Sequence, residues 1–143
     1  KNHFMALQKI EVIKEFKMPV ESLFAQLSEH ENLATVFAPA KVTRVRDGNG
    51  SRNGVGSARL VKIPLAPVIE ETVTAFKEGE LVEYSISNTT PLKNHLGIMK
   101  FSPTAQGSKL HYTITFESRI PFTGPLVKAT LELVIRKGLD NIR

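Results

Sequence analysis

The chain has 143 residues, a formal net charge of +5 and no cysteine. This length fits one domain that buries about two thirds of its unfolded surface. The lack of cysteine excludes disulfides, thiolate metal sites and cysteine nucleophiles. No apolar run reaches the about 18 residues of a membrane-spanning helix, and no secretory leader is recognisable near Met5. We therefore expect a cytoplasmic protein without stable membrane insertion.

The sequence predicts a single domain over residues 5–143, because no linker, repeat or low-complexity segment divides it. Met5 has the position of a natural start, so residues 1–4 are expected to be a remnant of expression. Basic residues are spread along the chain, with one local concentration between Lys41 and Lys62. No aromatic and basic ribonucleoprotein motif accompanies them, so no nucleic-acid partner is expected.

The N-terminal part of the chain predicts a strand followed by two short helices. Residues 6–17 alternate loosely between apolar and polar side chains, which is typical of a strand. Pro19 ends this strand, and apolar residues at helical spacing predict a helix over residues 20–28. Residues 31–37 predict a second short helix, which Pro39 closes.

Six further strands are predicted, each bounded by turn residues. They cover residues 42–46, 55–63, 68–76, 81–87, 95–102 and 109–120. Short connections make consecutive strands antiparallel, because parallel neighbours need a crossover of about a dozen residues. In the last strand, apolar residues alternate with polar ones, which predicts one face toward the core and one toward solvent.

The final predicted element is a long amphipathic helix after Pro125, with Thr123 as its N-cap. Its apolar face is predicted to contain Leu126, Leu131, Val134, Ile135, Leu139 and Ile142. This face needs a cover, and the preceding elements are mainly strands. The sequence therefore predicts an α+β fold in which the helix packs on the concave face of an antiparallel sheet and can leave a pocket.

This order of elements resembles the helix-grip fold of the SRPBCC superfamily, which includes START lipid-transfer domains and the birch-pollen-allergen family. Four stretches are most similar to the polyketide cyclase/dehydrase family: GVGSAR (54–59), EETVTAF (70–76), KNHLG (93–97) and IPFTGPLV (120–127). The resemblance implies a seven-stranded antiparallel sheet wrapped around the C-terminal helix, with two short helices after the first strand. Similar proteins include cyclases, dehydratases, carriers of lipids or quinones and binding proteins, so fold alone does not select a function.

Side-chain parity predicts which residues face the cavity between the sheet and the helix. The predicted ligand-binding residues are Arg59, Glu71, Tyr84, His95, Met99, Phe101 and Tyr112. Arg59 and Glu71 lie on neighbouring strands, and we expect an ion pair because burying either charge alone is costly. The pair either fixes strand register or anchors and orients a polar group of a ligand.

His95 and Glu71 are the candidate catalytic residues, because a histidine titrates near neutral pH and a nearby carboxylate can tune it. A histidine at a pocket rim without catalytic duty is the alternative. His30, His95 and His111 fall in separate elements without metal-ligand spacing, so neither a metal nor another cofactor is expected. The glycine-rich residues 48–56 lack the ending of a phosphate loop and predict a mobile hairpin that could gate a cavity mouth.

Three functions stay open at this point. The first is binding of a hydrophobic small molecule, lipid-like, quinone-like or aromatic, and the lack of a strong acid–base arrangement favours it. The second is an enzyme of the polyketide cyclase or dehydratase type, with protons moved by His95, Glu71 or a tyrosine. The third is a protein-interaction or toxin-like module that uses the basic hairpin between Arg44 and Arg59. The oligomeric state is left as monomer or homodimer.

Overall fold

The computed structural model describes residues 6–143, in which three α-helices and seven strands form the fold. The expectation that residues 1–4 are a remnant of expression concerns residues outside this range. In chain order the elements are β1 (Gln8–Phe16), α1 (Val20–Ser28), a 3-10 turn (His30–Asn32), α2 (Leu33–Val36), β2 (Lys41–Arg46), β3 (Ala58–Lys62), β4 (Ile69–Lys77), β5 (Leu81–Ile86), β6 (Leu92–Thr104), β7 (Gly107–Ser118) and α3 (Gly124–Leu139). None of the helices in this range is long and apolar enough to cross a membrane.

The strands form one seven-stranded sheet in the order β1-β7-β6-β5-β4-β3-β2. Each neighbouring pair is antiparallel, as the short connections predict. β1 and β2 are the two edges, so the sheet stays open. The α1 helix packs on β6 and β7, and α3 packs mainly on β1 and α2. This arrangement confirms the predicted α+β class and helix-grip fold.

Two strands begin three residues away from their predicted start, and both differences have a local cause. β3 begins at Ala58 rather than at residue 55, because Gly56 has a φ of +90° and turns the chain out of the strand. β6 begins at Leu92 rather than at residue 95. A bulge with Asn94 at a φ of 53° shifts the register, and Leu92 then pairs with Ser118 of β7.

The first turn of α3 differs most from the prediction. Leu126 is 69% exposed, so its assignment to the apolar face is wrong. The first turn of α3 lies past the end of β7. Ile135 and Leu139, in the later turns of the same helix, are fully buried. Thr123 precedes the helix, but its hydroxyl donates to the Ile120 carbonyl oxygen and caps no helix N–H. Its α-region backbone, with φ −93° and ψ −15°, differs from the extended backbone of a capping residue.

Gly138 allows α3 and α2 to approach closely. A Cβ at this position would lie 2.6 Å from the carbonyl carbon of Val36 and 2.7 Å from its Cα. Val36 and Leu139 are both completely buried. Neither backbone can therefore move away without opening the core.

Replacing Gly138 by Ala is expected to destabilise the fold by about 1–3 kcal/mol, because the new methyl group meets the Val36 backbone. Helix propensity alone would stabilise this variant, because Ala is about 1 kcal/mol more favourable than Gly in a free helix. A loss of stability would therefore report the contact with the Val36 backbone. Urea unfolding measures the effect, with Lys137→Ala at the preceding exposed position as the control. A Gly138→Ala protein as stable as the wild type would contradict this close approach.

Candidate functional site

A small, mainly apolar cavity lies between the sheet and α3. Its volume is about 60 Å³. Its lining consists of eight apolar residues, Phe37, Val61, Ile63, Ile69, Ile86, Leu92, Ile114 and Leu131, together with Glu71, Tyr84 and His95. Sites for drug-sized ligands usually measure roughly 300 Å³ or more. In this conformation the cavity therefore has room for a small fragment only.

Five of the residues predicted from side-chain parity come together around this cavity. Glu71, Tyr84 and His95 line it. Arg59 and Tyr112 lie directly behind the lining, where Arg59 bonds to Glu71 and the Tyr112 hydroxyl bonds to the Tyr84 hydroxyl. Both of these rear residues are almost completely buried.

Met99 and Phe101, the other two predicted ligand-binding residues, lie elsewhere in the core. Both are buried, but neither lines the cavity. Phe101 packs edge-on against Phe24 of α1, with 5.0 Å between the ring centroids. Helix α1 covers this part of the inner sheet face, while the cavity lies under α3.

Arg59 and Glu71 form the ion pair that the sequence predicts. They are direct partners in the β3–β4 register, and Arg59 Nε donates to Glu71 Oε1 at 2.8 Å. Arg59 is only 2% exposed. A guanidinium this deeply buried must be paired, because an isolated buried charge costs several kcal/mol. The ion pair therefore holds β3 and β4 in register beside the cavity.

His30 extends this ion pair into a chain of buried hydrogen bonds. Arg59 Nη1 donates to His30 Nδ1 at 2.9 Å, so Nδ1 must be an acceptor. The Ser57 hydroxyl donates to the Gly54 carbonyl oxygen at 2.6 Å, which leaves Ser57 Oγ to accept from His30 Nε2–H at 2.8 Å. Burial, reinforced by the charge of Arg59, lowers the pKa of His30 to about 3. His30 is thus a neutral, fixed acceptor at neutral pH.

Sequence reasoning considered His30 only as a metal ligand and missed this role. One signal was available, because His30 follows Leu27 by three residues and Leu23 by seven, the spacing of one helix face. The 3-10 turn continues the inward direction of that face, and His30 is completely buried. Ser57, two residues before Arg59, is also completely buried.

The Tyr84 ring fills the space beside Gly97, where any other residue would place its side chain. A Cβ on Gly97 would lie 2.7 Å from the Tyr84 hydroxyl, so only glycine leaves room for this ring. The Arg59 guanidinium carbon lies 4.7 Å from the Tyr84 ring centroid, in cation–π contact. Burial raises the pKa of both Tyr84 and Tyr112. Both phenols are therefore neutral hydrogen-bonding groups.

His95 carries an unused polar atom in this region. It lies beside the β6 bulge, with its ring centroid 5.5 Å from that of Tyr84. Its Nδ1 is buried and has no hydrogen-bond partner within residues 6–143, and the same holds for Arg59 Nη2. Burial lowers the pKa of His95, so its imidazole is neutral near pH 7. A buried polar atom without a partner is costly, so a ligand that supplied one would gain affinity.

The glycine-rich hairpin is held by ion pairs at the opposite end of the sheet from this cavity. Arg52 Nη2 contacts Glu29 at 2.6 Å, and Arg44 Nη2 contacts Glu31 at 2.9 Å. No residue of 48–56 lines the cavity, so the hairpin does not gate it. The third functional alternative needs the basic hairpin to bind a partner. Arg44 and Arg52 of this hairpin are already paired with Glu31 and Glu29 of the same chain. Over the described residues, no group of three or more His, Asp or Glu side chains could hold a metal ion.

Comparison with known proteins agrees with this architecture. Residues 8–143 match the family model described as polyketide cyclase/dehydrase and lipid transport. The chain belongs to this family. No curated protein matches it. The resemblance to the SRPBCC superfamily is thereby confirmed.

Several solved structures share the fold of this family member. A protein from Nitrosospira multiformis has a TM-score of 0.70 at 16% identity, over 95% of this chain and 97% of its own. Ara h 8.0201 has a TM-score of 0.67 at 19% identity, over 96% and 98%. Norcoclaurine synthase from Thalictrum flavum, in complex with dopamine and hydroxybenzaldehyde, has a TM-score of 0.62 at 14% identity, over 96% and 89%. At these identities the likeness shows the helix-grip fold alone.

Replacing Arg59 by Met is expected to lower the free energy of unfolding by about 3–5 kcal/mol, because Glu71 is left buried without its partner. Adding Glu71→Met should recover most of that loss, since it removes the unpaired charge. Urea unfolding of both single variants and the double variant measures the coupling. Arg52→Met is the matched control and should cost about 1 kcal/mol or less, because its partner Glu29 is partly exposed. A double variant as unstable as Arg59→Met would contradict the coupling.

His30 is expected to make the fold less stable as the pH falls from 7 to 5. Its pKa falls from 6.5 to about 3 on folding, so the unfolded chain takes up a proton that the folded chain excludes. The stability is complete above pH 6.5 and decreases below it, by up to about 1.4 kcal/mol per pH unit. The lowered pKa of His95 acts in the same direction.

Unfolding free energies at pH 5, 6 and 7 test this dependence. His30→Gln keeps one donor and one acceptor but cannot titrate, so its stability should vary less with pH than that of the wild type. Equal pH dependence in the wild type and His30→Gln would refute the prediction.

Proposed function

We propose that this protein binds a small apolar molecule with one polar end in the cavity between the sheet and α3. The observation that carries the proposal is the composition of this cavity, in which eight apolar residues surround Glu71, Tyr84 and His95. Apolar burial supplies about 25 cal/mol per Å² of ligand surface, and the polar groups set orientation. The buried His95 Nδ1, which has no partner in the described part of the chain, is a further reason for a polar group on the ligand.

The cavity enlarges when a ligand larger than a small fragment binds. Its free volume is about 60 Å³, and of α3 only Leu131 contributes to its lining. Helix α3 packs mainly on β1 and α2, not on the central strands. A shift of α3 or a rotation of Leu131 would therefore extend the cavity over β4 and β5 without breaking the sheet.

The polar end of the ligand is a hydrogen-bond donor such as a hydroxyl or a phenol. Glu71 presents a carboxylate to the cavity, while its partner Arg59 lies behind it. An anionic ligand would meet this carboxylate before the guanidinium, whereas a hydroxyl can donate to Glu71 or to a neutral His95. Dopamine and hydroxybenzaldehyde, bound in the norcoclaurine synthase structure, are aromatic molecules of this polarity.

A cyclase or dehydratase activity is the second candidate, and His95 favours it. Its imidazole is neutral near pH 7 because burial lowers its pKa. A neutral histidine beside Glu71 on one cavity wall can accept a proton from a bound ligand. Turnover of the bound compound would then depend on His95, whereas simple binding would not.

Replacing Ile86 by Trp is expected to abolish ligand binding, because the indole would fill the small cavity that Ile86 lines. Native mass spectrometry of protein purified without detergent should show one apolar molecule per wild-type chain. Added phenolic aromatics, quinones or fatty acids should raise Tm, with about 2.7 kcal/mol of stabilisation at a hundredfold excess over Kd. Ile13→Trp is the control, on the exposed outer face of β1, and should bind like the wild type.

Each result has a distinct meaning for the proposal. An empty wild-type protein that gains no thermal stability from any of these compounds would refute it. Equal binding by Ile86→Trp would place the ligand outside this cavity. Conversion of the bound compound by the wild type, lost in His95→Gln while binding is kept, would establish the enzymatic alternative.

A further inference from the structure

Two tight turns hold a bulky apolar residue in an unfavourable backbone conformation. They are formed by residues 63–66 (IPLA) and 120–123 (IPFT). In each, the N–H of the fourth residue donates to the carbonyl oxygen of the first, at 3.1 Å and 3.3 Å. The third residue has a positive φ in both turns, 65° at Leu65 and 69° at Phe122. Proline in second position and positive φ in third are the features of a type II turn.

Glycine is the usual residue at the third position of such a turn, because a side chain there is strained. Leu65 and Phe122 have this strained backbone although their side chains are mostly exposed. Leu65 is completely exposed and Phe122 is 70% exposed. Strained backbone positions are concentrated at active sites, ligand clamps and switch regions. Two turns with the same strain and the same exposed apolar tip point to a common task.

Both turns lie at the same end of the sheet. Neighbouring strands are antiparallel, so β3, β5 and β7 all end at the same side of the sheet. The β3–β4, β5–β6 and β7–α3 connections therefore lie together at that end. We call the exposed large apolar residues there the apolar rim: Leu7, Ile63, Leu65, Val68, Ile120, Phe122 and Leu126. At the opposite end, the strongly exposed large apolar residues within residues 6–143 are Val45 and Val55. The sheet therefore has one apolar and one polar end.

The apolar rim borders the candidate ligand cavity. Ile63 belongs to both, and Val68 precedes Ile69 of the lining. Ile86 and Leu92, also in the lining, are the strand residues nearest the β5–β6 connection at this end. The cavity is therefore closest to solvent where the apolar side chains project.

Positive charge accompanies the apolar rim. Lys41 and Lys62 face each other across β2 and β3 at this end, and Arg119 is next to Ile120 in sequence. All three basic side chains are exposed, and none forms an ion pair within the described part of the chain. The nearby carboxylates of Glu70 and Glu117 each accept a hydrogen bond from another side chain. The end of the sheet is thus apolar at its tips and basic at its flank.

We infer that the apolar rim docks reversibly on an anionic lipid bilayer. Leu65 and Phe122 enter the boundary between headgroups and acyl chains, and Lys41 and Lys62 lie against the headgroups. Apolar insertion together with basic residues is the combination that binds peripheral proteins to anionic membranes. Two separate projecting tips suit insertion into lipid better than the continuous, closely packed surface of a protein interface. This docking differs from membrane spanning and needs no transmembrane helix.

Docking would also give the cavity a route to apolar ligands. The mouth of the cavity would face the lipid, so a ligand could pass between bilayer and protein with little exposure to water. This second step rests on the proposed function. The docking itself does not, because it depends on residues at the apolar rim and on its basic flank.

Flotation with lipid vesicles tests the inference. Wild-type protein should bind vesicles of phosphatidylcholine and phosphatidylglycerol in equal parts, release them at high salt, and bind pure phosphatidylcholine weakly. Leu65→Gly with Phe122→Gly should reduce partitioning by about tenfold or more, since both inserting side chains are removed. The Tm of this variant should be unchanged or higher, because glycine relieves the positive φ. A loss of binding would then not reflect unfolding.

Two further variants complete the experiment. Lys41→Gln and Lys62→Gln should each weaken binding to the anionic vesicles by about fivefold. Leu133→Gln is the matched control, because Leu133 is an equally exposed apolar residue on α3 outside the apolar rim. It should bind vesicles like the wild type. Ile86→Trp, which tests the ligand cavity, should also bind vesicles normally.

The inference would be overturned by a wild-type protein that ignores anionic vesicles or binds pure phosphatidylcholine equally well. It would also fail if the double glycine variant bound normally, or if Leu133→Gln lost as much binding. A protein partner captured through the apolar rim, without vesicle binding, would replace the membrane with a protein. Vesicle binding without any ligand in the cavity would leave docking standing and refute only the proposed function.

Discussion

The buried Arg59 guanidinium is the group on which the rest of the structure depends. It bonds to Glu71 on β4, bonds to His30 in the turn after α1, and lies over the Tyr84 ring on β5. A charge this deep in the core is tolerated only when its partners are in place. One side chain therefore couples the pairing of β3 with β4, the position of the short helices and the wall of the cavity.

The same group explains the character of the candidate site. Arg59 is occupied by Glu71 and His30, so the charge stays behind the lining and most of the cavity surface is apolar. His95 lies outside this chain of hydrogen bonds, and its buried Nδ1 has no partner among residues 6–143. Such a wall is preorganised, because its polar groups are already fixed by one another. In the proposed function this wall would orient an apolar ligand, and His95 would bond to the polar end of that ligand.

The two ends of the sheet have opposite properties, and the difference follows from their turns. At one end the glycine-rich hairpin is tied down by ion pairs, such as that between Arg52 and Glu29. At the other end, Leu65 and Phe122 are displayed on proline-containing turns with strained backbones. The candidate cavity lies toward this second end, since Ile63 belongs both to its lining and to the apolar rim.

Much of this architecture is encoded locally in the sequence. Alternation of apolar and polar residues, short turns and helical spacing determined the α+β class, the strands and the inward direction of Arg59 and Glu71, because side chains in a strand alternate between faces. Tertiary structure decided which element covers each part of the inner face. It placed Phe101 against Phe24 of α1 and Met99 in the core outside the cavity lining, brought His30 onto the Arg59 guanidinium, and set the cavity volume. These outcomes depend on packing between segments distant in sequence, and local periodicity carries no information about that packing.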